Sequence, residues 1–412
     1  MTLGRALVTV ALATSVAGAE PLADALQHSR YPVAVKGGKL DGAGAVVLRT
    51  AIDDAQFVML GEDHGIAQIP QFAAALCDEL APHGFHRLAL EVGPSVGPEL
   101  ERILRAPDPA AASAAFTKKF PETVAFYDWQ EELAFLTACS KATAATPLQI
   151  WGVDQELMGA AVSILPKILA TRPGPKGQAA IEALVREDAA DRIAAAKTGD
   201  FSALLLLKAR AATLEAARAA LAKDGSAEAQ RLFGALLESR AIYEGQASPT
   251  PYVSNVRRAK LMKETFFDDL SAAASVDHAM PKVLLKLGAW HLYRGMNPLH
   301  SSELGDLVAE AAAAHKLLAV NVLVLGVKGQ QLRPAGVGRP DQAAALDLAS
   351  DADFKFLAPL LAAQRAEGWT LFDLRALRPI FGKLGKVDPE LERLIFGYDF
   401  AVLIPDPKPA HH

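Results

Sequence analysis

Cysteine is scarce, with only Cys77 and Cys139 in 412 residues. That excludes a disulfide-dense scaffold, and the absence of a CxxC or metal-type spacing excludes a cysteine-held zinc. An exported compartment permits a disulfide between them, but the pair is far apart in sequence, each member in a helix-like run, and both read as buried thiols. A basic excess is also missing. Forty-two Lys and Arg against 47 Asp and Glu leave a formal net charge of −5. Neither nucleic acid nor an anionic membrane surface is expected as a partner, since each wants a basic face. No G-x-G-x-x-G, Walker or H-E-x-x-H motif occurs, so nucleotide cofactors and a local zinc-protease signature are unsupported.

Long apolar runs are missing too, except at the N-terminus. No membrane span is expected in the rest of the chain. The opening residues "MTLGRALVTVALATSVAGAE" combine an early Arg5, an apolar run and Ala17-Gly18-Ala19. This is the pattern of a signal peptide over residues 1–19, with cleavage after Ala19. The product is expected to be exported, periplasmic or secreted. No cysteine near the cut suggests a lipid anchor.

Continuous apolar runs recur along the chain: 57–60, 87–92, 148–153, 282–290, 317–327, 370–374 and 399–405. Continuous rather than alternating runs predict strands covered on both faces. Between the first two, Ile69, Phe72, Leu76 and Leu80 recur at helical spacing, with Pro70 in the first turn. Strand alternating with helix predicts an α/β fold, a mostly parallel sheet flanked by helices. From 159 to 281 the chain is Ala-, Leu- and charge-rich with no convincing strand, which predicts a large helical insertion. The expected organisation is one α/β domain over 20–405, then a disordered tail, 406–412, ending in His411 and His412.

Ionisable residues follow four of the apolar runs. "LGEDHG" places Glu62, Asp63 and His64 after the first, and "LALEVG" places Glu91 after the second. "WGVDQE" places Asp154 after the third, and "GAWHLYRG" places His291 after the fourth. Open α/β sheets bind ligands beyond the carboxyl ends of their strands. In an extended segment Glu62 and His64 face one side and Asp63 the other. A helix starting just beyond would keep His64 neutral through its dipole. Gly61 and Gly65 permit tight turning.

These residues resemble the erythromycin esterase / ChaN-like / Tiki superfamily. Its signatures are G-E-x(x)-H after the first core strand, an acid ending the next, a later G-x-D and a C-terminal G-x-x-H. They correspond here to Gly61–His64, Glu91, Gly152-Val153-Asp154 and Gly288–His291. "NVRRAKLM" resembles an R-x-x-x-M helical element of the esterase branch and singles out Arg258, while "FDLRALR" and "YDFAVLIP" look like its closing strands. The spacing between Glu62 and His64 is the shorter one of the ChaN-like and Tiki branches. Gln68 stands where the esterase branch tends to carry an acid.

The resemblance implies a hydrolase of an ester or amide, acting on a small-molecule or peptide substrate. His64 would be the general base on water, oriented by Glu62 and Glu91. His291 would protonate the leaving group or hold the oxyanion, and Asp154 would help bind substrate. Arg258 is either a carboxylate or oxyanion clamp or an ordinary solvent-facing residue of a basic helix. A metal-assisted variant would use Glu62, His64, Glu91 and His291 to hold Mn, Co or Zn. The ChaN-like alternative is a haem- or metal-binding uptake protein, with His291, Tyr293 or Met296 as axial candidates. A serine-hydrolase reading rests on "GPSVG", which would make Ser95 the nucleophile with Asp154 and His291.

Overall fold

In the computed structural model, which describes residues 20–412, eleven strands form two sheets. They are β1 (Arg30–Lys36), β2 (Lys39–Asp41), β3 (Ala55–Glu62), β4 (Arg87–Leu90), β5 (Gln149–Gly152), β6 (Val283–Gly288), β7 (Leu318–Gly326), β8 (Lys328–Arg333), β9 (Gln342–Asp347), β10 (Trp369–Asp373) and β11 (Phe400–Ile404). Nine make the main sheet, in the order β2-β1-β10-β11-β7-β3-β6-β4-β5, and β8 and β9 make a separate hairpin. The run from β11 to β5 is parallel throughout. The edge strands β2, β1 and β10 pair antiparallel.

All seven strands expected from the apolar runs are present. Strand β3 shows why: every residue is buried. Val58 and Leu60 enter the core on one face with Phe72 and Phe135. Phe57 and Met59 enter the core on the other face with Met262 and Phe266. A strand buried on both faces needs no polar alternation. The four unforeseen strands, β1, β2, β8 and β9, have exposed or half-exposed residues and lack such runs.

Helix α1 (Gln68–Leu80) follows β3, and α2 (Gln130–Ala142) precedes β5. Between β5 and β6 the chain is helical, as expected. Its longest members are α3 (Pro175–Thr198), α4 (Ala227–Gln246) and α5 (Tyr252–Asp277). This insertion has an apolar cluster of its own, including Ile181, Leu221 and Phe233.

Two expectations need correction. Cys77 on α1 and Cys139 on α2 are not thiols but a disulfide, their Cα atoms 5.2 Å apart. The two helices pack side by side, a proximity that sequence separation hides. Closing a loop of 62 residues removes enough freedom from the unfolded chain to stabilise by about 4 kcal/mol. Urea unfolding with and without reductant measures this; the reduced protein should unfold at clearly lower denaturant, and an unchanged midpoint would show that the bridge adds nothing. The segment 406–412 is the second correction. It is not a free tail but a strap. Lys408 O accepts from Ala67 N at 2.9 Å, Ala410 N donates to Gly65 O at 2.9 Å, and His411 O accepts from Gln130 N at 2.8 Å. The predicted signal peptide lies outside the described residues.

Candidate active site

The parallel register sets the site. Glu62 at the end of β3 stands opposite Gly288 at the end of β6. Strand β4 lies on the other side of β6 and delivers Glu91 one residue past its end. Strand β5 beyond it delivers Asp154. Gly288 leaves the space between them open: a Cβ there would sit 3.1 Å from both Glu91 Oε2 and His64 Nε2. Gly65 adopts φ +82°, and a side chain there would collide with Leu332 O, so the turn after His64 requires glycine.

The five residues expected at the strand edge, Glu62, His64, Glu91, Asp154 and His291, converge, and Arg258 joins them. Nδ1 of His64 lies 3.1 Å from Glu62 Oε1 and its Nε2 lies 3.5 Å from Glu91 Oε2. His291 mirrors it, with Nε2 at 3.5 Å from Glu91 Oε1 and Nδ1 at 3.1 Å from Glu303 Oε2. Glu91 therefore sits between two imidazoles. It also accepts from Gly288 N at 2.5 Å and from Arg258 Nη2 at 2.8 Å. Arg258 reaches in from α5 and forks onto Asp154, Nε to Oδ1 at 2.9 Å. Of the two readings of Arg258, the inward one holds; its neighbour Arg257 takes the exposed role, paired with Glu238. Asp154 is thus committed to Arg258. Asp63, the expected bystander, lies apart, beside Gln331 and near Arg333 of β8.

The charge state of His64 differs from the expected one. Burial works to lower its pKa, but the hydrogen bonds to Glu62 and Glu91 outweigh it and hold the ring up at about 10. His291 is raised to about 9: burial and Arg258 pull down, while Glu91 and Glu303 pull up harder. A helix dipole acts only within a turn and α1 begins at Gln68, whereas two carboxylates touch the ring. Glu91 is pulled the other way. Burial would raise it, yet the two histidines hold it well below the usual carboxylate range. The resting site is therefore two imidazolium rings around a carboxylate.

Sequence reasoning missed the groups behind this row. Lys286 on β6 is fully buried. It donates to Glu62 Oε1 at 2.6 Å and to Glu132 of α2 at 2.8 and 3.0 Å. The second lysine of "KVLLKLGAW", set between leucines, was the available signal. Glu303 carried none, coming from a loop that places Ser301 and Asn297 on its other oxygen. Phe126 stacks on His64, ring centroids 4.0 Å apart and planes 19° from parallel.

A large cavity lies beside this cluster without enclosing it, with Phe126 between them. Its volume is about 1310 Å³ and its lining includes Phe126, Trp129, Leu133 and Met158 with Glu122 and Asp128. Of the clustered side chains His64 is the most open, at 27% exposed.

Ser95 is not part of a triad. Its hydroxyl donates to Glu156 Oε2 at 2.6 Å, while Asp154 and His291 are held as described. Tyr293 is enclosed against Tyr398 and Trp290, and Met296 points outward, so neither supplies an axial ligand beside His291.

The α/β fold, a mostly parallel sheet with a helical insertion between β5 and β6, is the fold of an erythromycin esterase and of two other proteins of known structure. Three solved structures share it. A mutant of the erythromycin esterase EreC in its open conformation is 14% identical, with a TM-score of 0.63 over 92% of this chain and 98% of that one. A Bacillus cereus protein is 16% identical, TM-score 0.57, over 95% and 98%. A succinoglycan biosynthesis protein is 15% identical, TM-score 0.55, over 95% and 98%. Comparison of the sequence with protein-family models and with curated proteins returned no match.

Proposed function

We propose that the protein is an exported hydrolase of esters or amides, with His64 as the base that takes a proton from water. The carrying observation is the His64–Glu91–His291 row. One imidazole is fixed through Nδ1 by Glu62, leaving Nε2 facing Glu91 at a loose 3.5 Å. Neutral His64 accepts the proton of an attacking water at Nε2 while Nδ1–H stays on Glu62. His291, kept protonated by Glu91 and Glu303, delivers a proton to the leaving group. Arg258 fixes the charge of Glu91 and holds Asp154, a positioning role rather than a substrate clamp in this arrangement. The cavity beyond Phe126 is the natural space for the body of a substrate, being largely apolar and larger than the usual pocket for a drug-sized ligand.

Metal assistance fits poorly. An ion between the rings would have to displace existing pairing, since Nε2 of both His64 and His291 faces Glu91 and Arg258 also binds that carboxylate. Arg258 supplies positive charge at Glu91, the carboxylate an ion between the two rings would need. Among the described residues no group of three or more His, Cys, Asp or Glu is arranged to hold an ion. Of the three axial candidates for haem, Tyr293 is enclosed, Met296 points outward and His291 has both ring nitrogens facing carboxylates. A screen of esters and amides graded in size, run with and without a chelator, tests both points. Turnover should be found and should survive chelation. Activity lost to chelator and restored by Mn, Co or Zn would overturn the metal-free reading, and no turnover of any ester or amide would remove the hydrolase.

A further inference from the structure

We infer that Lys286 and Glu132 form a buried positioning pair that fixes the Glu62 carboxylate against Nδ1 of His64. The inference deepens the hydrolase reading, because it concerns the same base. One oxygen, Glu62 Oε1, takes both contacts: the Lys286 ammonium at 2.6 Å and the His64 ring at 3.1 Å. The ammonium is held in turn by both oxygens of Glu132, at 2.8 and 3.0 Å. Lys286 is 0% exposed, Glu132 2% and Glu62 3%.

Burying an ammonium with two carboxylates is costly unless the geometry is used, since packed apolar side chains would stabilise the sheet centre as well or better. The chain of contacts also ends at Glu132, whose only side-chain partner among the described residues is Lys286. The row is closed at that end and does not lead a proton outward. Its effect is to lock charge and direction. Tyr127 and Phe135 lie against the ammonium, their ring centroids 5.4 and 5.5 Å from Nζ, and exclude water from it. The charges sum to zero when His64 is an imidazolium and both carboxylates are ionised. Burial lifts Glu132 to about 7 even though Lys286 pulls it down. Helix α2 therefore reaches the base through side chains alone.

The two members act on His64 with opposite sign. The Glu132 carboxylate favours the imidazolium, and the Lys286 ammonium disfavours it. Glu91, just past β4, faces the ring through Oε2, and Arg258 of α5 and His291, just past β6, stand on its Oε1; all three stay unchanged in the test. The proton affinity of His64 is read by NMR of its ring nitrogens in the substrate-free protein, the signal assigned by its loss in His64→Ala. Glu132→Gln should lower the His64 pKa by about one unit, a tenfold change. Adding Lys286→Met to that variant, which restores the original net charge, should raise it again. A role in packing alone would not produce shifts of opposite sign. No movement in either variant, or movement in one direction in both, overturns the inference. If the double variant does not fold, Glu132→Gln decides alone: a fall supports the pair and an unchanged value overturns it. The readout needs no substrate, so the pair can stand where the hydrolase reading fails, and the reverse.

Discussion

Replacing His64 by alanine should reduce kcat/KM for the best ester or amide by about a hundred- to ten-thousand-fold, the usual worth of a positioned general base. The structure explains why the loss should be chemical and not a failure to fold. Glu62 keeps its contact with Lys286, and Glu91 keeps Arg258, His291 and the Gly288 amide. No buried carboxylate is orphaned, so the variant should keep its circular dichroism spectrum and most of its stability. The cavity beyond Phe126 is untouched, so KM should move less than kcat. A folded His64→Ala protein retaining more than a tenth of the activity would show that another group takes the proton.

The second large effect is on the pH profile. A base with its pKa raised to about 10 is an imidazolium at neutral pH. Its neutral, active fraction grows tenfold for each pH unit below that value. Activity should therefore climb with unit slope from pH 6 to near 9, about a thousandfold in all. His291, raised to about 9, must keep its proton to serve the leaving group. Above its pKa that contribution falls away, so the profile should peak between about 9 and 10. Glu91 touches both rings, and Glu91→Gln removes the negative charge that raises both values. The sign is clear: both should fall, and the optimum should move to lower pH. A wild-type profile flat between pH 6 and 8 would show that His64 works from a neutral resting state.

The residues of the site were more legible than their charges. Glu62, His64, Glu91, Asp154 and His291 each close an apolar run, and parallel strands bring such ends to one edge. Their protonation was misread because a helix N-terminus is visible in sequence, whereas a carboxylate from a different strand pressed against the ring is not. Lys286 and Glu132 escaped for the same reason: a charge inside an apolar stretch shows its purpose only when its partners, 224 and 154 positions away, are in place. The fold followed the same division. Strands with two buried faces declared themselves, while the half-exposed edges and the β8–β9 hairpin did not. The disulfide and the strap over Gly65 are long-range closures, and nothing local encodes them.

The place of β6 in the sheet has a consequence for how the chain is made. This strand lies between β3 and β4, yet it follows the whole helical insertion in sequence. On the ribosome β3, β4 and β5 emerge early, but two of them wait for their shared neighbour. The wait is the time to synthesise on the order of 130 residues, roughly 6 to 26 s at ordinary elongation rates. For that interval apolar strands present open edges, the condition in which nascent chains associate with one another or with chaperones. His291 and Lys286 arrive with the late strand, so the site forms only when the gap in the sheet closes.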